Sequence, residues 1–260
     1  MARSTLLEGK VAFITGGAQG IGRAIARSFI DHGGKVVLAD IENAKLDSTV
    51  QELGRNAKGL YLDVIDENAT QNAVEIAFSA FGRINTVIPN AGVLLLKPGL
   101  ETTASEFRTV IDVNLTGAFI TSTVFAKRIV EENIEGRVIM TSSLFGTRGG
   151  KENSAYSASK FGMIGLMQCL AAELAESGIQ VNCVCPGQMN TDMIQQLFRD
   201  RAIITGTTQD EVRNKLLSRI PSGQLGDLDH LAGTYVYLAS ELSKYVTGQA
   251  IIVDGGWQIG

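Results

Sequence analysis

Val11-Ala12-Phe13-Ile14-Thr15-Gly16-Gly17-Ala18-Gln19-Gly20-Ile21-Gly22 joins an apolar run to a glycine-rich turn. A segment of helical period follows, with Ile21, Ile25, Phe29 and Ile30 as its apolar positions and Gly33-Gly34 as its stop. A strand that turns through glycines into a helix N-terminus presents outward N–H groups and the positive end of the helix dipole, an arrangement that binds phosphate. Gly16 permits the tight turn, Gly20 lets a pyrophosphate approach, and Gly22 lets helix pack on strand. Gln19 and Ile21 share the turn. The spacing is G-x-x-x-G-x-G rather than G-x-G-x-x-G. Taken alone, it also suits a strand–helix turn that holds no ligand.

The same strand-then-helix unit recurs along the chain. Apolar runs stand at Val11–Thr15, Lys35–Ala39, Gly59–Leu62, Thr86–Ile88, Arg137–Met140, Ile179–Val184 and Ala250–Val253. Their lack of polar alternation is what a parallel sheet buried on both faces requires. Helical segments lie between them, at Ile21–Asp31, Asp66–Phe81, Ser105–Asn133 with a break near Gly117, Ser154–Ser177 and Asp229–Ser240. The expectation is an α/β fold: one doubly wound domain over residues 1–260, with a seven-stranded parallel sheet flanked by helices. Residues 188–224 break the rhythm. They are polar, with short helices expected at Thr191–Arg201 and Gln209–Ile220, and read as a substrate lid.

Composition narrows the classes. Apolar residues make up 45% and charged residues 19% of 260, so a packed globule is expected rather than a disordered chain. Lys and Arg number 23 against 27 Asp and Glu, with no basic stripe, which argues against nucleic acid. No signal-peptide pattern opens Met1–Lys10, and no run of 18 apolar residues predicts a membrane span. Cys169, Cys183 and Cys185 have no metal or disulfide spacing; they read as buried reduced thiols of a cytoplasmic protein. Cys183 and Cys185 alternate on one strand and face the same side. His32 and His230 are far apart in sequence and read as solvated, so no metal is expected.

Asp40 ends the second run, about 20 residues past the glycine turn, where a carboxylate accepts both ribose hydroxyls of an adenosine and repels a 2′-phosphate. The alternative for Asp40 is a helix cap. Gln19 brings no charge to neutralise such a phosphate, and Arg23 is the nearest cation. Both Asp40 and Gln19 favour NAD. Further on, Tyr156-Ser157-Ala158-Ser159-Lys160 places a phenol and an ammonium on one helix face. The ammonium favours the phenolate and lowers a pKa that is ordinarily about 10. In isolation, a solvated pair is the alternative. Ser143 closes the fifth strand, at the sheet edge where ligands bind in open α/β folds.

These motifs, in this order, resemble the short-chain dehydrogenase/reductase family from Gly9 to Trp257. The resemblance implies a Rossmann-type domain that binds NAD through Gly16, Gln19, Gly20, Ile21, Gly22 and Asp40. It places Asp63 and Val64 at the adenine and Asn90 in the N-A-G motif. Pro186, Gly187, Met189 and Thr191 fall beside the nicotinamide. Asn114, Ser143, Tyr156 and Lys160 match the catalytic set, with Asn114 holding a water for proton relay. Ser143 and Tyr156 would contact substrate, and Tyr156 and Lys160 the nicotinamide ribose. Pro89 departs from the family's N-N-A-G run and removes a backbone donor.

The implied chemistry is hydride transfer between a secondary alcohol and NAD, with Tyr156 as acid and base. Leu94, Leu95, Leu96, Leu144, Phe145, Met189 and Met193 are expected to line an apolar pocket. Arg148, Glu152, Asn153 and Gln188 are candidates to hold extra hydroxyls. The favoured substrate is a polyol, sugar alcohol or diol. The alternatives are a ketoreductase of 3-oxoacyl thioesters or small ketones, and a nucleotide-binding scaffold without turnover. Phe125, Phe161, Met163 and Met167 read as packing positions. The long helices and the Asp254-Gly255-Gly256-Trp257 end resemble those through which the family forms homotetramers.

Overall fold

The structure is a computed structural model and describes residues 5–259; Met1–Ser4 and Gly260 lie outside the described residues. Seven strands form one parallel sheet in the order β3-β2-β1-β4-β5-β6-β7. They are β1 (Val11–Thr15), β2 (Lys35–Asp40), β3 (Ala57–Tyr61), β4 (Thr86–Ile88), β5 (Gly136–Thr141), β6 (Ile179–Pro186) and β7 (Ala250–Val253). All seven expected runs are strands. The third begins two residues early and leaves Leu62 just past its end. Topology reverses between β1 and β4, which opens a crevice at their carboxyl ends.

Both faces are covered, and β1 shows how. Val11 and Phe13 join the core under α3 (Glu67–Phe81), α5 (Gly117–Glu131) and α6 (Ser154–Leu174). Ala12 and Ile14 join the opposite core under α1 (Gly20–Asp31) and α9 (Leu228–Ala239). Both faces are dry, so the strand reads as a continuous apolar run. Phe13 stacks on Phe125, ring centroids 4.1 Å apart. Phe125, Met163 and Met167 are buried as expected, whereas Phe161 is half exposed.

One helix was not expected, and the break expected near Gly117 takes a specific form. Helix α2 (Asn43–Leu53) was not expected; it buries only Leu46 and Thr49 and has no side-chain cap, so its apolar stripe is thin. The long helix is divided into α4 (Ala104–Ile111), a π-turn at Asp112–Thr116, and α5. Gly117 stands at the break because a Cβ there would lie 2.6 Å from Val64 Cγ2. The run Ala104–Glu131 is long and apolar enough to cross a bilayer by length and composition only, and half of its 18-residue apolar window is buried within the fold. Cys169 also departs from expectation: it is exposed, while Cys183 and Cys185 are buried on the same sheet face. The region between β6 and β7 carries α7 (Asp192–Thr205) and α8 (Gln209–Leu217), close to the helices expected there.

Candidate active site

Every residue singled out for cofactor or catalysis borders one cavity of about 1160 Å³, apart from Gly22 and Asn114 just behind its wall. The cavity runs from Gly16, Gly20 and Asp40 to Ser143, Tyr156 and, on α7, Met193 and Arg201. It lies at the carboxyl ends of the strands.

The glycine turn is held from beneath. Thr15 is buried and its Oγ1 accepts the N–H groups of Asn90 at 3.0 Å and Ala91 at 3.1 Å. Asn90 Nδ2 donates back to the carbonyls of Thr15 and Gly16, at 3.0 and 3.1 Å. Asn90 thus serves as a brace for the turn, which sequence reasoning missed. Gly22 lets α1 sit directly on that brace, since a Cβ there would lie 2.1 Å from the Gly16 carbonyl oxygen. Gly20 is different: it has φ +55°, and a Cβ built there meets nothing within 4 Å. The space over Gly20 at the start of α1, with no acidic residue in its first turn, fits a dinucleotide phosphate.

Asp40 is not a helix cap; Glu42 holds that position. The Asp40 carboxylate accepts the Ala18 N–H at 3.0 Å and the Glu42 N–H at 3.1 Å, which fixes it at the cavity edge. Glu42 borders the same space and was not foreseen. Arg23 and Arg27 both pair with Glu52 instead. Asp63 Oδ1 accepts the Ile65 N–H at 3.2 Å, and Val64 packs under Gly117, so these two form a firm floor. Pro89 is buried; its carbonyl accepts from Thr141, and its missing N–H falls just past the end of β4.

At the other end, β5 delivers Ser143 and α6 delivers Tyr156 and Lys160. Ser143 Oγ accepts the Phe145 N–H at 3.1 Å, which orients the hydroxyl. Lys160 is 3% exposed, and its Nζ donates to the Thr141 carbonyl at 2.7 Å. It lies 5.6 Å from the centre of the Tyr156 ring. Burial pulls the Lys160 ammonium down to about 8. At Tyr156 the largest influence is burial rather than the Lys160 charge. Burial pushes the phenol above its ordinary 10, and a hydrogen bond with Ser143 works the other way. The charge that should favour the phenolate is turned toward a carbonyl.

Asn114 is fully buried within the π-turn. Its Oδ1 accepts the Val93 N–H at 2.7 Å, and its Nδ2 donates to the Val93 carbonyl and Ser159 Oγ, both at 3.0 Å. The side chain thus ties the π-turn to Val93 and to α6. Such turns recur at functional sites.

Of the expected lining residues, Leu94, Leu96, Leu144, Phe145, Met189 and Met193 border the cavity; Leu95 does not. Pro186 ends β6 and Gly187 follows it, packed so closely that a Cβ would lie 2.6 Å from Asp254 Cα. Thr191 caps α7 through its hydroxyl, which accepts from the Ile194 N–H at 3.3 Å. Trp257 is buried against Leu144 and Ile220, with Arg219 stacked 4.5 Å from its ring, so the end of the described chain closes the wall. Among the described residues, no three His, Cys, Asp or Glu cluster as metal ligands would.

Comparison with known proteins gives this geometry its context. A family model described as enoyl-(acyl carrier protein) reductase matches residues 16–258. The chain is 33% identical to 3-oxoacyl-(acyl-carrier-protein) reductase of Salmonella typhimurium, over 96% of this chain and 97% of that protein. It is 35% identical to 2-dehydro-3-deoxy-D-gluconate 5-dehydrogenase of Pseudoalteromonas atlantica, over 96% of each. Secoisolariciresinol dehydrogenase of Forsythia intermedia is 34% identical, over 97% of this chain and 90% of that one. A solved short-chain type dehydrogenase/reductase from Mycobacterium marinum superposes with a TM-score of 0.89 at 30% identity, covering 98% of this chain and 97% of that one. The chain belongs to the short-chain dehydrogenase/reductase family, oxidoreductases that use a nicotinamide dinucleotide.

Proposed function

We propose that the chain is an NAD-dependent dehydrogenase of secondary alcohols, acting on a polyol, sugar alcohol or diol. The observation that carries this reading is the convergence of Ser143, Tyr156 and Lys160 on an apolar-walled cavity continuous with the glycine turn and Asp40. Gly16, Gln19, Gly20, Ile21 and Gly22 would hold the pyrophosphate, Asp40 the adenosine ribose, and Asp63 and Val64 the adenine. Asn90, Pro186, Gly187, Met189 and Thr191 would border the nicotinamide half. When bound, the nicotinamide takes or returns the hydride of the reacting carbon.

The chain's own residues handle the proton. Ser143 donates its hydroxyl hydrogen to the substrate oxygen and fixes that oxygen beside Tyr156. In reduction, the neutral Tyr156 phenol gives its proton to that oxygen; in oxidation the phenolate takes it back. Lys160 has N–H donors beyond the one on Thr141, and these suit ribose hydroxyls. A lysine drawn from Thr141 toward a ribose would present its charge to Tyr156. Asn114 is a positioning residue, since its side chain braces Val93 and Ser159.

Preference for NAD is supported by two carboxylates, Asp40 and Glu42, at the adenosine end, and by the pairing of Arg23 and Arg27 with Glu52. A reductase of 3-oxoacyl thioesters is the second reading, favoured by the relatives that carry that name. We further read the chain as one domain with residues 188–224 as its lid, and as a cytoplasmic homotetramer that acts on small molecules without nucleic acid or membrane. Two of its three free cysteines are buried, which suits a reducing compartment.

One experiment tests the core of this reading. Nucleotide absorbance is followed with polyols, diols and a 3-oxoacyl thioester, each with NAD and NADP, for wild type and Tyr156→Phe. Wild type should turn over an alcohol with NAD. Tyr156→Phe should lose activity by about 10²-fold or more while still binding NADH. A variant that kept near-wild-type rates would remove Tyr156 from proton transfer.

A further inference from the structure

The cavity carries charges of opposite sign on different stretches of its wall. Asp40, Glu42 and Asp63 border it near the glycine turn. Arg148 of the β5–α6 loop, Arg201 of α7, Lys215 of α8 and Arg219 just beyond α8 border it elsewhere. The carboxylates beside these cations are already engaged. Glu152 holds Arg201 at 2.7 Å and Lys151 at 4.0 Å. Glu211 accepts the Thr208 N–H at 2.9 Å in the cap of α8, and Asp192 stands in the first turn of α7, where the helix dipole favours it. Among the described residues, Arg148, Lys215 and Arg219 pair with no carboxylate.

Two of these cations are mounted on the end of the described chain. The Arg219 guanidinium lies 4.5 Å from the centre of the Trp257 ring. Its backbone is fixed beside it: Ile220 is buried against Trp257, and the Ser222 N–H donates to the Gly255 carbonyl at 3.1 Å. Arg148 follows Thr147, whose hydroxyl accepts from Gln258 Nε2, and Gln258 is itself held by its N–H on Asp254 Oδ2 at 3.0 Å. Trp257 packs on Leu144, the residue after Ser143. One wall therefore carries both arginines and continues through Trp257 and Leu144 to Ser143. Stacking on an indole face orients a guanidinium and leaves its edge N–H groups for a planar acceptor. Both arginines are exposed, so those donors are accessible from the cavity. Arg219 follows the carboxyl end of α8, so this wall offers an anion guanidinium groups rather than the backbone N–H groups of a helix start. A guanidinium fork matches a carboxylate.

We propose that the substrate carries a carboxylate, bound by Arg219 with help from Arg148 while Ser143 and Tyr156 hold the reacting hydroxyl. The substrate class is then a sugar acid. Its reacting carbon is remote from the carboxylate, because Trp257 and Leu144 separate Arg219 from Ser143. The inference rests on the polyol reading above and narrows it.

The test compares kcat/KM with NAD within pairs of equal carbon chain: D-gluconate with D-glucitol, D-galactonate with D-galactitol, and D-mannonate with D-mannitol. Wild type should favour the acid in at least one pair by about tenfold or more. Arg219→Gln should collapse that ratio by about the same factor. Arg219→Lys, which keeps the charge without the fork, should retain part of it, and Arg148→Gln should lower it less than Arg219→Gln does. Added salt should weaken the wild-type preference and leave Arg219→Gln unmoved. Loss of folded protein lowers both members of a pair equally, so a merely structural Arg219 would leave the ratio unchanged. An unchanged ratio in Arg219→Gln, or alditols oxidised as well as their acids, overturns the carboxylate assignment and leaves the polyol reading standing. D-glucitol 6-phosphate supplies the phosphate arm: a preference for it over D-gluconate that Arg219→Gln abolishes overturns the carboxylate in favour of a phosphate. Wild type that binds NADH yet oxidises none of these compounds overturns the polyol reading, and this inference with it.

Discussion

Lys160 is a charge placed where the fold would rather have none. It is buried and titrates at about 8, against about 10.4 for an unfolded lysine. Below pH 8 both states carry the proton, and the native state bears the full cost, of order 3 kcal/mol. Between about 8 and 10.5 the unfolded chain keeps a proton that the folded chain releases, so the cost shrinks as pH rises; above that range it vanishes. Lys160→Met should therefore stabilise the unliganded protein at pH 7. The net gain should be about 1–2 kcal/mol, because the Thr141 carbonyl loses its donor. That corresponds to a melting temperature a few degrees higher. The advantage should fade in melts taken toward pH 10, while the variant loses activity. A variant less stable than wild type at pH 7 would contradict the desolvation argument. The identity of the pair was legible in Tyr156-Ser157-Ala158-Ser159-Lys160 because four-residue spacing puts two side chains on one helix face. Its electrostatics were not legible: desolvation depends on what packs around α6, and that surrounding is long-range.

At the scale of elements, the glycine turn separates packing from binding. Gly22 and Gly20 are equally plain in sequence, yet a Cβ at Gly22 would meet the Gly16 carbonyl oxygen at 2.1 Å and one at Gly20 would meet nothing within 4 Å. Gly22→Ala should cost about 3 kcal/mol or more, because backbone rather than a movable side chain blocks it. Gly20→Ala should cost only about 1 kcal/mol, from its positive φ. It should nevertheless weaken NADH binding by about tenfold or more, since the added methyl fills the phosphate cradle. Thermal melting and NADH fluorescence titration on both variants would show the inversion; an unaltered NADH affinity in Gly20→Ala would refute the cradle. Strands β1 and β5 were readable because they are apolar on both faces. Helix α2 was not readable, since it buries little and lacks a side-chain cap. The π-turn around Asn114 was hidden too, because a one-residue slip in hydrogen bonding leaves the apolar period of 105–133 nearly intact. Thr15 and Asn90 are far apart in sequence, so their brace appears only once β1 and β4 lie side by side.

At the scale of the whole molecule, two surfaces remain to be explained by the proposed tetramer. Helices α4, α5 and α6 expose Phe107, Phe119, Val130 and Phe161, and Phe119 and Phe161 are 48% and 45% exposed. The other surface lies at β7, whose outer edge is unpaired in the sheet, with Ile252 and the neighbouring Leu242 and Tyr245 exposed. The proposed tetramer would cover these apolar side chains, since exposed apolar surface favours association, and an unpaired strand edge invites coverage. Two self-complementary patches on one chain generate a closed tetramer of three mutually perpendicular twofold axes. Neither patch shares residues with the cavity wall, so assembly and chemistry are separable by mutation. Sedimentation of wild type at micromolar concentration should give a tetramer. Phe119→Glu combined with Phe161→Glu should break the helical interface and leave dimers held through β7, since charges buried against an apolar face are costly. A wild type that sediments as a monomer would refute the assembly, and a double variant that stays tetrameric would show that α5 and α6 face solvent after all.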